Sequence, residues 1–379
     1  MASKVDTAGL RLAGVEARER TASGLRFDWL MVVVSIWWLG GLFIDGWAHS
    51  NIPQLETFFT PWHAVLYSGY LAVAITLLAK IVLNLRQMAA DAHGVTPPLL
   101  SVIRASLAGN RWMRAIPRGY ELSVLGIGVF LVSGIGDMTW HLIFGIERST
   151  EALLSPTHLG LALGVGLALS GPLRAAWRRA GKASSWQDLG PAILSLTFTY
   201  SLLTFFTSYA YPLVTPWPII PSGTSPARGI TSVLLQSGLM VGMMFLALRR
   251  WRLPVGTFTF LLGVNGTLMI AFAPRTALIS IPTALLGGLA ADLLYRWLQP
   301  AVEQPASVRL FAFLAPAVFF LLYFVDLAIV GPTVFHSGII WTVPFWAGSP
   351  VIAGITGFLL SYVMIPPVQP GEEREETRP

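Results

Sequence analysis

Residues 28–49 read DWLMVVVSIWWLGGLFIDGWAH. Between the two aspartates nothing is charged, and the stretch matches the roughly 20 residues an α-helix needs to cross a bilayer. Its far end breaks the apolar pattern: Asp45 and His49 stand four residues apart, on one helix face. Working outward, runs of the same character recur near 62–85, 119–143, 156–177, 188–212, 227–250, 255–273, 275–297, 307–330 and 339–365. The fold class expected is therefore all-α, a polytopic membrane helical bundle of about ten transmembrane helices. The composition agrees. Of 379 residues 54% are hydrophobic and 12% charged, with a mean hydropathy of +0.65, against about 25% charged in a soluble domain.

Orientation follows from the basic residues. All Lys and Arg except Arg148, Arg228 and Arg275 fall on one side of the ten predicted spans. The positive-inside rule then puts both termini in the cytoplasm, in a multi-pass protein of the inner (plasma) membrane. Four segments are expected: a polar cytoplasmic stretch over 1–27, paired helical hairpins over 28–177, a further bundle over 188–365, and a disordered tail over 366–379. Residues 1–27 carry no cleavable signal pattern. The pI near 9.8 reflects the cytoplasmic loops, and no nucleic-acid partner is expected. Membrane lipid is the expected surrounding, with other membrane subunits or a second copy as possible associates. The absence of cysteine excludes disulfides, thiolate zinc sites, iron–sulfur clusters and blue-copper ligation.

The hairpin segment is written twice. Asp45-Gly46-Trp47-Ala48-His49 is followed by Glu56-Thr57-Phe58-Phe59-Thr60-Pro61-Trp62-His63, and Asp137-Met138-Thr139-Trp140-His141 by Glu151-Ala152-Leu153-Leu154-Ser155-Pro156-Thr157-His158. Thr60-Pro61 and Ser155-Pro156 predict helix starts, a hydroxyl N-cap followed by proline at the first helical position. Each copy thus predicts one helix that ends in Asp and His and a returning helix that opens with His. Asp45, His49 and His63, and likewise Asp137, His141 and His158, are the candidate metal ligands, with an open position left for water or substrate. The orientation puts them on the outer side with Glu147, Asp326 and His336, and leaves only His93 inside. Acidic groups within spans mark sites or pathways. Glu56 and Glu151 are candidates to orient an imidazole or relay a proton. Asp326 and His336, near the ninth span's outer end, are candidates to complete the site. Trp47 and Trp140 read as interfacial aromatics. The Pro-rich segments 212–228 and 342–350 read as outer caps, and Gly-rich stretches such as 160–171 as close helix packing. The expectation leans to one composite pocket fed by both copies.

At these residues the sequence resembles the C subunit of copper membrane monooxygenases, the methane and ammonia monooxygenase family. Asp137-x-x-Trp140-His141 is similar to that subunit's Asp-x-x-Trp-His segment, and Glu56 through Phe59-Thr60-Pro61-Trp62-His63 to its acidic residue and Phe-Thr-Pro-x-His. The resemblance covers residues 28–175. It implies copper held by Asp45, His49 and His63 and by Asp137, His141 and His158, and a copper-dependent oxidase or hydroxylase, or a subunit of one, acting on a small apolar substrate. The residues alone leave other classes open: a copper-binding, delivery or transport protein, or a zinc-dependent intramembrane hydrolase, with zinc or iron in place of copper. The scarcity of methionine clusters argues against a Cu(I) conduit. Histidines at helix ends beside carboxylates argue against haem.

Overall fold

In a bilayer every backbone N–H and C=O has to be satisfied inside the protein, and an α-helix does this within one segment. The apolar runs of this chain accordingly fold as helices. The computed structural model describes residues 24–52, 58–93, 98, 100–101, 104, 112–145, 149–179, 183–220 and 226–365. Among the described residues there is no strand, and nine helices are long and apolar enough to span a membrane. The protein is an all-α, multi-pass membrane protein. Apolar side chains such as Val33, Ile75 and Val132 are exposed along the spans and meet lipid.

Two compact units are present: Met1–Gly181 with Gln187–Phe198, and Lys182–Trp186 with Thr199–Pro379. The expected tail over 366–379 and most of the segment over 1–27 lie outside the described residues.

The first unit contains α1 (Leu25–Asn51), α2 (Pro61–His93), the short α3 (Trp112–Ala115), α4 (Glu121–Phe144), α5 (Ser149–Leu154), α6 (Pro156–Leu169) and α7 (Gly171–Arg178). It also holds part of α8 (Trp186–Phe206). α1 packs along α2, α4 along α6, and α2 touches α4. Both pairs close backbone to backbone. A Cβ on Gly69 would stand 2.5 Å from Cα of Trp38, and one on Gly164 2.7 Å from the Phe130 nitrogen. This is the small-residue contact by which helices approach in membranes.

At the start of α1, Asp28 is fully buried. It accepts a 2.8 Å hydrogen bond from the Tyr120 hydroxyl and pairs with Arg179. Beside it Arg174 donates to the carbonyls of Gly119 and Leu167 and to the Ser123 hydroxyl. These bonds tie the first turns of α1 and α4 to the end of α7.

The second unit contains α9 (Pro226–Leu248), α10 (Thr257–Met269), α11 (Ala277–Leu298), α12 (Pro305–Val334) and α13 (Val343–Met364). The seventh expected span, 255–273, needs correction. α10 has 13 residues, about 20 Å of helix against a hydrocarbon core of about 30 Å. A turn over 270–273 and a 3₁₀ turn, Pro274–Thr276, then lead into α11. The start of α10 is anchored by Asp292, whose carboxylate accepts from the amides of Phe258 and Thr259 and from the Thr259 hydroxyl. The expected cap over 342–350 also needs correction, because Thr342 is the N-cap of α13 and residues 343–350 are its first turns. Of the other expected cap, residues 212–220 fold into the second unit. There Tyr323 and Ser280 donate to the carbonyls of Pro212 and Leu213, and the Ile340 amide to that of Pro218.

Candidate metal centre

The helix ends form where the sequence places them. His63 N donates to the Thr60 hydroxyl at 3.2 Å, and Pro61 opens α2. Ser155 caps α6 by accepting from His158 N, with Pro156 in the first turn. Asp45 and His49 sit near the end of α1, and Asp137 and His141 near the end of α4. Each pair lies on one face and meets the histidine of its returning helix.

The two groups have matching dimensions. In the first, Asp45 turns one carboxylate oxygen to each imidazole: Oδ2 lies 3.8 Å from His49 Nε2 and Oδ1 3.5 Å from His63 Nε2. In the second, Asp137 Oδ2 lies 3.6 Å from His141 Nε2 and Oδ1 3.4 Å from His158 Nε2. The paired imidazoles are 5.6 Å apart at 59° in one and 5.5 Å apart at 60° in the other. Within each triad the ligand atoms lie within 4.8 Å of one another. Among the described residues the six ligand candidates group as two triads. The triads are nonetheless neighbours. The Phe58 ring stacks on His63 at 4.8 Å and lies 6.3 Å from His141, so the two imidazoles are no further apart than these distances laid end to end.

Which nitrogen donates is set by the far side of each ring. His63 Nδ1 contacts the Phe58 carbonyl at 2.6 Å, and His141 Nδ1 the Gly145 carbonyl at 3.1 Å. A carbonyl oxygen only accepts, so the protons belong on Nδ1, and a neutral ring presents a lone pair at Nε2. His158 Nδ1 is 2.6 Å from the Ser155 hydroxyl. In the His63 and His141 contacts, then, a lone pair faces a carboxylate oxygen, an acceptor facing an acceptor.

Two arrangements relieve that repulsion. Protonated imidazoles would close to a charge-assisted hydrogen bond of about 2.7–2.9 Å, and every separation here is longer. A shared cation fits better: two ligands on a tetrahedral ion with bonds of about 2.1 Å stand roughly 3.4 Å apart. Asp45 and His141 are only 8% and 7% exposed, and Asp45 Oδ1 and His141 Nε2 have no hydrogen-bond partner among the described residues. Buried polar atoms are rarely left so. The donor set suits a borderline transition metal.

The surroundings differ between the triads. The Thr157 hydroxyl donates to Asp137 Oδ1 at 2.9 Å, whereas the matching position in the first copy is Trp62, whose ring packs on Trp47. Glu56 lies outside the described residues. Glu151 is on α5, but its side chain is not described. Asp326 and His336 belong to the second unit. Asp326 accepts from Thr283 at 2.9 Å, and His336 is exposed with φ of 53°.

Compared with protein families, curated proteins and solved structures, the chain gives no match in any of the three.

Sequence reasoning missed Phe58, Gly145 and Thr157. Phe58 and Gly145 act through backbone carbonyls, which no side-chain motif encodes. Gly145 reaches His141 because its φ is 80° and its ψ −179°, a region essentially restricted to glycine. Gly145→Ala is therefore expected to cost about 1–3 kcal/mol in stability. It should also weaken metal binding at the Asp137 triad roughly tenfold or more by releasing the His141 ring. Metal titration of the folded variant checks this.

Proposed function

We propose that the two triads are metal centres, that the metal is copper, and that the chain is a copper-dependent membrane oxidase or hydroxylase, or a subunit of one. One observation carries the reading: two largely buried Asp-His-His sets whose imidazole Nε2 atoms converge on a shared carboxylate. Copper heads the divalent affinity series for such nitrogen and oxygen donors, and the resemblance over residues 28–175 points the same way. Copper so held supplies one-electron redox chemistry with dioxygen.

The chain's own residues do the rest. Asp45 and Asp137 offset cationic charge within the membrane. Phe58, Gly145 and Ser155 orient the imidazoles. Phe59, Leu142, Ile143 and Phe144 are apolar and exposed near the ligands, a surface from which a small apolar substrate enters out of the lipid. We read the hairpins as copies of one duplicated unit, on the strength of the paired separations.

Elemental analysis of detergent-purified protein, with a Cu(II) spectrum, tests the assignment. Two copper ions per chain are expected; stoichiometric zinc in colourless protein would replace copper with the hydrolase reading. Substrate-dependent oxygen consumption separates an oxidase from a copper-delivery protein.

The reading places both triads on the outer side. Since the chain has no cysteine, single introduced thiols report topology without background. Ser50→Cys, beside the first triad, is expected to react with a membrane-impermeant maleimide in intact cells. Ser184→Cys, between α7 and α8, should react only after permeabilisation. The opposite pattern would invert the orientation.

A further inference from the structure

We propose that Phe58 couples the two triads, so that filling one alters the other; this rests on the triads being metal centres. Phe58 belongs to the connector of the first hairpin, yet its ring bears on a ligand of the second. Its carbonyl accepts from His63 Nδ1 at 2.6 Å, and its ring stacks on the same imidazole at 4.8 Å and 24°. The centroid of the Phe58 ring also lies 6.3 Å from that of His141, at 38°, and 5.9 Å from that of Tyr67. His63 therefore grips Phe58 twice, and Phe58 stands against His141. The matching residue of the second connector is Leu153, which has no ring to stack.

An ion bound by Asp45, His49 and His63 fixes the His63 ring, and through it Phe58. His141 then has less freedom to lose when a second ion arrives, so the first ion raises affinity for the second. Linkage makes the effect reciprocal, and couplings of this kind span roughly 5–150-fold. Repulsion between two cations opposes the gain. It does not depend on the Phe58 ring, so a change at Phe58 isolates the ring's part.

The experiment is a stepwise titration of the full chain in detergent with Co(II) alone, whose visible bands report the geometry of each centre. Phe58→Leu keeps the backbone carbonyl and removes the ring. Expected are two bound ions, at least about a fivefold loss of affinity in the second step, and a shifted band for the Asp137 triad, in which no residue has been changed. Phe58→Tyr, which keeps the ring, should restore both. His63→Ala reads the same link from its other end and should shift the Asp137 band as well. An unchanged second step and band in Phe58→Leu, or an unchanged band in His63→Ala, overturns the coupling while leaving the metal centres standing. Wild-type protein that binds no Co(II) overturns the centres, and the coupling falls with them.

Discussion

Replacing His49 and His141 together by Ala is expected to abolish stoichiometric metal binding in otherwise folded protein. Each histidine is one of three donors in its triad, and each meets its aspartate through Nε2. With two donors left, an ion has to replace its lost ligand with water. Loss of groups that merely orient a ligand already weakens affinity by about 10–100-fold, so loss of a ligand itself should exceed that range. The single variants should each keep one ion, because each leaves the other triad whole. Metal analysis after desalting, with circular dichroism to confirm the helices, makes the measurement. Two ions retained by the double variant would refute the ligand assignment.

The second large effect lies at the other end of the same helix. Asp28→Ala is expected to destabilise the protein by about 3 kcal/mol, the lower end of the range for breaking a buried ion pair. The lower end applies because Arg179 is 26% exposed while Asp28 is fully buried, so water partly compensates the stranded cation. The Tyr120 hydroxyl also loses its acceptor. Asp28 and Asp45 are separated by about 25 Å of helix at 1.5 Å per residue. Metal content per folded chain should therefore stay unchanged while the melting temperature falls. A drop in metal content at unchanged stability would contradict this division.

The contrast between Asp45 and Asp28 shows what a sequence discloses. Asp45 is legible because His49 follows at helical spacing and the pattern recurs at Asp137 and His141. Asp28 carries no such pattern, since its partners Tyr120 and Arg179 lie 92 and 151 residues away. The caps at Thr60 and Ser155 are legible because they are local chemistry. The shortness of α10 is not. Residues 255–273 are apolar throughout, and neither the anchor at Asp292 nor the turn after Met269 alters composition. The neighbouring of the two triads depends on α2 meeting α4 and on the Phe58 ring, which are tertiary facts.

Three of the four imidazoles are anchored by carbonyls or hydroxyls of the connectors: His63 by Phe58 before α2, His141 by Gly145 after α4, His158 by Ser155 before α6. Helices decide where each ring stands, and at His63 and His141 the connector carbonyls decide which nitrogen keeps the proton. A connector that lets go of a ring lets its proton migrate to the opposite nitrogen, and the lone pair turns away from the carboxylate while every ligand stays in place. Sequence changes in these short loops are thus able to silence a centre whose ligand set reads as intact.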